Sequence, residues 1–328
     1  MEIKGHNLTM FQKFTVFTPT YNRAKTLGRV YSSLIAQARK DFLWLIVDDG
    51  STDNTRELVD GWIKENNIKI VYQYKENGGK HSAMRMAYNL ANSKYFIAID
   101  SDDELTPDAI ENFNNEWTKI EDNDLENQFA EVAALTYSID GRLIGNFHFP
   151  EGTDSIDSFW HEMVLKYRNN NEHIICWNLE KLKECVKIPE EFWLSDKVSF
   201  FGEGTLWARI GRKYKTRYIN KVLRIYHFDG EDSLMRIMDK SKGHYNNLVG
   251  NKYFLDENLD HFFWNPKYFI NLILKFIISG IELKRSPLEL INVMDTFKFR
   301  LAYIVLFPVG ALAFLYFKFI KKRLVLIP

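Results

Sequence analysis

Asp100, Asp102, Asp103 and Glu104 place four acidic side chains within five positions, directly after the apolar run YFIAI at residues 95–99. Carboxylates this close repel one another unless a cation sits among them. A hard divalent ion suits them, because such ions take oxygen ligands and bridge to phosphates. Two other apolar runs also end in groups able to do chemistry. FTVFT at residues 14–18 leads into Pro19, Thr20, Tyr21 and Asn22, and LWLIV at residues 43–47 leads into Asp48 and Asp49.

These runs read as buried strands, and helical stretches alternate with them. Residues 26–39, 51–65 and 80–92 carry helical patterns, and KIVYQYKE, from residue 69, reads as a further strand closed by Asn77, Gly78 and Gly79. Thr106 as N-cap, Pro107 at the first helical position and Asp108 in the first turn predict a helix after the acids. Strands alternating with helices over the first 110 residues or so predict an α/β fold with an open, mainly parallel sheet and flanking helices, Rossmann-like in type. In such a sheet the ligand crevice lies outside the carboxyl ends of the strands. All three polar clusters therefore belong to one edge of one sheet.

Composition narrows the ligand. Lys plus Arg and Asp plus Glu both number 43, so the chain lacks the basic excess of a nucleic-acid binder, and no nucleic-acid partner is expected. No G-x-x-x-x-G-K-[ST] loop is present, and no G-x-G-x-x-G follows the first long strand, which argues against P-loop and dinucleotide sites. Cys176 and Cys185 show no metal-ligand or redox spacing. The first 14 residues lack the apolar core of a secretory signal, so a reducing, cytoplasmic setting is expected.

TPTYNR, IVDDGSTDNT, NGGKHSAMRMAY and IDSDD, in that order over about residues 14 to 110, resemble family 2 glycosyltransferases of the GT-A fold, bacterial cell-surface polysaccharide type. The resemblance implies that the first loop and the acid ending the second strand hold a nucleotide base, here Thr18, Pro19, Tyr21 and Asp48. It further implies Asp100 at the ribose or metal and Asp102 at a divalent metal, Mn²⁺ or Mg²⁺, that bridges the donor diphosphate. Asp103 is a further member of that cluster, and Lys80 a donor-side contact. The family commonly opens a later helix with a pair of acids beside the acceptor. Here Gly202, Glu203 and Gly204 stand at that place, so the base role falls to Glu203, with Asp196 as the alternative. His227 matches the position of a C-terminal metal-binding histidine, and Trp177 that of a residue bordering the acceptor, able to stack on a sugar face or to serve the core instead.

The C-terminal part is different in character. Residues 301–317 form an uncharged apolar run, interrupted by Pro308 and Gly310, with Lys298 and Arg300 before it and KFIKKR after it. In-plane amphipathic helices on an anionic membrane surface are expected, with a single span as the second possibility. The sequence thus divides into a catalytic domain over 1–235 and a helical, membrane-associating region over 236–328. The expected activity is a metal-dependent, inverting transfer from a nucleotide-diphosphate sugar, UDP-linked by preference. The acceptor is a glycan, free or lipid-linked, at the cytoplasmic face of the cell membrane. A sugar-1-phosphate nucleotidyltransferase and a non-catalytic sugar-nucleotide-binding or membrane scaffold protein are the rival readings.

Overall fold

The computed structural model describes residues 2–6, 11–186, 203–228, 240–316 and 318. The chain separates into two compact units, Met1–Trp193 with Ile210–Glu231, and Leu194–Arg209 with Asp232–Pro328.

The first unit is built on one mixed sheet. Its strands are β1 (Glu2–Gly5), β2 (Gln12–Thr20), β3 (Phe42–Asp48), β4 (Lys69–Tyr74), β5 (Ser93–Ala98), β6 (Glu104–Leu105), β7 (Phe129–Ser138), β8 (Ser155–Ser158), β9 (His173–Asn178) and β10 (Lys215–Tyr226). Among the described residues the spatial order is β1-β4-β3-β2-β5-β9-β7-β10-β6, and β8 pairs with β10 off that path. The run β4-β3-β2-β5 is parallel throughout. Its connections are α1 (Leu27–Ile35), α2 (Thr55–Glu65) and α3 (Lys80–Leu90). All seven residues of β3 are buried, as a central parallel strand covered on both faces requires.

Side chains alternate across this sheet. Phe14, Val16, Trp44, Ile46, Ile70 and Tyr72 join Val30, Leu34, Val59 and Trp62 in one core. Tyr31 stacks on Trp62 at 4.4 Å and on Trp44 at 6.1 Å, so much of the aromatic content serves packing. Toward the opposite face, Phe17 stacks on Phe96 and the ring of Tyr88 meets Phe96 edge-on.

The helix after the acids, α4 (Ala109–Asp122), begins later than the Thr106 cap predicts. Its cap position is Asp108, whose side chain caps no backbone N–H. Instead the Oε1 of buried Gln37 accepts from the N–H of Ile110, and its Nε2 donates to the carbonyl of Thr106. A distant side chain does the work assigned to a local one.

Glu131 lies fully within the sheet on β7 and accepts from Thr216 Oγ1 at 2.5 Å and from Trp177 Nε1 at 2.8 Å. Trp177 is only 4% exposed and uses its N–H on this carboxyl, so it is a core residue and offers no face to a sugar. Burial pushes the Glu131 carboxyl up to about 7, against the two donors that oppose the shift. The folded state therefore holds a proton that the unfolded chain releases near the ordinary value of about 4.5. Stability is full below that pH, falls by roughly 1.4 kcal/mol per pH unit as pH rises toward 7, and then levels off. In Glu131→Gln, the amide can accept from Trp177 and donate to Thr216, so the part of this slope that Glu131 contributes should vanish and the pH dependence should flatten. Urea unfolding of both proteins between pH 5 and pH 8 checks it; parallel curves would contradict the assignment.

The second unit contains α7 (Lys240–Asn258), α8 (Pro266–Glu282), α9 (Pro287–Asn292) and α10 (Phe297–Leu315), while α5 (Leu179–Cys185) and α6 (Glu203–Lys213) precede β10. Ser286 and Glu289 form a reciprocal capping box at the start of α9. Asp256 Oδ1 accepts from the N–H groups of Asp295 and Thr296 where the chain enters α10. Gly310 is obligatory in the packing of α10: a Cβ there would come within 2.6 Å of Ile277 Cγ2 on α8.

Candidate donor-binding site

β2, β3 and β5 end at the same edge of the sheet, since Thr20 is registered with Asp48 and Phe17 with Ala98. The polar turns that follow are stitched to one another. Asn22 has φ +53, a left-handed conformation that asparagine tolerates better than most residues. In that pose its N–H donates to Ser51 Oγ at 2.9 Å, and its Oδ1 accepts from the N–H of Thr52 at 2.8 Å. Asp53 accepts from the N–H of Ala24 and from the hydroxyl and N–H of Thr55. Burial alone would raise the Asp53 carboxyl, but these donors outweigh it and hold it below the usual range. TPTYNR and DGSTDNT therefore form one rigid wall.

The expected base contacts fall into two groups on that wall. Tyr21 is 46% exposed and Pro19 is half-buried, so both can face a ligand. Thr18 and Asp48 are fully buried. Thr18 Oγ1 accepts from Trp44 Nε1, and the two Asp48 oxygens accept from Tyr72 OH at 2.5 Å and Ser51 N–H at 2.7 Å. Both are engaged from inside the turn and shape it there.

The neighbouring Asp49 organises the next loop. Its carboxylate accepts from Gly78 N–H at 2.9 Å, Gly79 N–H at 2.7 Å and Lys75 Nζ at 2.5 Å. Gly50 turns the chain between the two at φ +90, and a Cβ there would meet the Asn77 nitrogen at 2.9 Å. The loop so held delivers Lys80 at the first turn of α3, where Lys80 Nζ pairs with Asp100 Oδ1 at 2.8 Å. Two residues far apart in sequence, both expected on the donor side, are thus brought together.

Asp100 leads the acid loop. Burial would raise its carboxyl, but Lys80, Arg224 and Arg23 together hold it below the ordinary value. Asp102 is raised by burial and then by the like charge of Asp100. No described residue forms an ion pair with Asp102. Asp103 is fully buried; it accepts from the His227 N–H at 3.3 Å and lies 3.2 Å from Arg224 Nε. Burial pushes it up to about 7, Arg224 opposes that, and Asp100 and Asp102 add to it. β6 then pairs with Arg224 and Ile225 of β10, which fixes the loop at its far end.

His227 sits at the acid loop, as the resemblance implies, yet its Nε2 pairs with Glu104 Oε1 at 2.9 Å. Among the described residues no three His, Cys, Asp or Glu side chains gather as a ligand set. Asp102 and His227 thus belong to no three-residue protein ligand set among the described residues. An acid raised by a like-charged neighbour, with hard oxygen donors, does fit a divalent cation whose remaining ligands come from a diphosphate and water. Asp196 and the Glu203 side chain lie outside the described residues; the backbone of Glu203 opens α6. Arg224 and Gln37 escaped the sequence reading, because nothing in their local context signals what they meet.

The family model described as Glycosyl transferase family 2 matches residues 15–125. Over those residues the chain is similar to family 2 glycosyltransferases. A hyaluronan synthase of Pasteurella multocida is 32% identical over 154 residues, covering 46% of this chain and 15% of that protein. The chain spans between 15% and 44% of the length of the first curated relatives it matches. Residues 1–349 of S. aureus TarS in complex with UDP-GlcNAc superpose with a TM-score of 0.58 at 15% identity, covering 91% of this chain and 90% of that one. The mannosyltransferase PcManGT of Pyrobaculum calidifontis, in complex with GDP-Man and Mn²⁺, superposes with a TM-score of 0.51 at 14% identity, covering 95% and 89%. The fold of these two glycosyltransferases is the GT-A fold expected from the motifs, and this chain shares it.

Asp49→Asn should cost about 2 kcal/mol, since it replaces a charged acceptor shared by two amides and a lysine. Hydrogen exchange at the Gly78 and Gly79 amides should accelerate; unchanged protection would show that the loop holds itself.

Proposed function

We propose that this protein is a metal-dependent, inverting glycosyltransferase of cell-surface polysaccharide synthesis. It takes its sugar from a nucleotide-diphosphate donor, UDP-linked by preference, and passes it to a glycan acceptor, free or lipid-linked. The observation that carries this reading is the convergence, on one sheet edge, of the stitched turns, the Lys80–Asp100 pair and the acid loop. The TarS and PcManGT complexes support a sugar-nucleotide donor, and the Mn²⁺ of the latter supports a divalent ion.

In this reading Tyr21 and Pro19 flank the base in the slot between the first two turns. The ribose diol donates to Asp100, and Lys80 answers charge on the diphosphate. Asp102 would hold Mn²⁺ or Mg²⁺, and His227, paired with Glu104 in this structure, would be its second protein ligand. When bound, the ion acts as a Lewis acid toward the departing diphosphate. Glu203 takes the proton from the acceptor hydroxyl as its oxygen attacks the anomeric carbon from the side opposite the diphosphate. Asp196 is the second candidate for that proton. The reaction belongs to the cytoplasmic side, where sugar nucleotides are available.

Glu203→Gln should keep the affinity for donor while losing transfer by about a hundredfold or more, the usual scale of general-base catalysis. Transfer near the native rate would remove Glu203 from the base role. NMR of the first product, before it can equilibrate, should show the anomeric configuration opposite to that of the donor; retention would exclude the single displacement.

A further inference from the structure

The second unit has two opposite surfaces on one helix pair. Along α10, Phe297, Leu301, Ile304, Val305, Val309 and Leu312 recur at helical spacing, and each is 51–77% exposed. Phe299, Tyr303 and Gly310 occupy the other side of the helix and are buried. Phe276 of α8 meets Phe299 and Tyr303 edge-on at 5.1 and 6.1 Å. α8 in turn buries Phe269, Ile273, Phe276 and Ile277 and leaves Lys267, Asn271, Lys275 and Glu282 exposed along one stripe. The pair is therefore apolar on the α10 side and charged on the α8 side.

We infer that α10 is an interfacial anchor, lying in the plane of an anionic bilayer with this stripe at the acyl boundary and α8 on its aqueous side. By length and apolarity α10 is the one described helix able to cross a membrane. Crossing as a packed pair would carry Lys267, Asn271, Lys275 and Glu282 to bilayer depth, where charged side chains are costly. Exposed Lys298 and Lys318, one at each end of the stripe, suit anionic headgroups on both flanks. Across a two-fold axis with a second copy, the same lysines would face like charge. The inference rests on this unit alone and is independent of the donor chemistry.

The full-length chain is sedimented with phosphatidylcholine vesicles, with or without phosphatidylglycerol, beside a variant carrying Ile304→Glu and Leu312→Glu. Both substituted residues are exposed, so circular dichroism and UDP binding should match the parent protein. The expected result is binding to phosphatidylglycerol vesicles that weakens with salt and falls about tenfold or more in the variant. An environment-sensitive dye on Val305→Cys, with Cys185→Ser and Cys176 left buried, should shift to the blue with vesicles. The same dye on Lys275→Cys should not. Absence of vesicle binding, a blue shift at both positions, or a vesicle-independent dimer dissolved by the two substitutions would overturn the inference.

Discussion

Carboxylates that leave a buried strand must be met by positive charge, and Asp100 and Asp103 meet it from Lys80 and Arg224. Lys80 arrives by way of the Gly78–Gly79 loop that Asp49 holds, and Arg224 by way of the strand that pairs with β6. The acid loop thus ties the parallel half of the sheet to its mixed half. Asp102 is the member left without an ion pair among the described residues, and its carboxyl is raised by burial and by Asp100. Glu104 is met by His227, so of the four acids only Asp102 lacks such a partner among the described residues, which suits the divalent ion proposed for it.

The parallel strands were legible in the sequence because burial on both faces leaves nearly unbroken apolar runs. The shared edge followed from topology, since βα units carry successive strands in the same direction. Side-chain roles were less legible. Asp48 and Asp49 are adjacent acids with no local difference in sequence, yet Tyr72 claims the first and the glycine loop the second. Trp177 carries the same aromatic ring whether it stacks on a sugar or donates to a buried carboxyl, and only the position of Glu131 decides. The start of α4 was misplaced for a similar reason: Gln37 supplies the missing acceptor from another helix connection. Contacts that span tens of residues leave no local pattern to read.

The two units divide the chemistry of the chain. Polar turns on a rigid sheet carry the proposed donor contacts in the first, where helix and strand packing fixes their geometry. In the second, glycines at 280 and 310 allow close helix packing, since a Cβ at either would strike Leu290 or Ile277. That packing commits one side of α10 to the protein and leaves its other side apolar and exposed.

In the function proposed above, the sheet edge binds a nucleoside diphosphate through a metal at the acid loop. Calorimetric titration of UDP, GDP and dTDP, each with and without Mn²⁺, into the native protein and into Asp102→Asn tests it most directly. The account predicts that one nucleotide, UDP first among them, binds with Mn²⁺, binds far more weakly without it, and loses the metal dependence in the variant. Folded protein that binds none of the three, or metal-dependent binding that survives in Asp102→Asn, would contradict it.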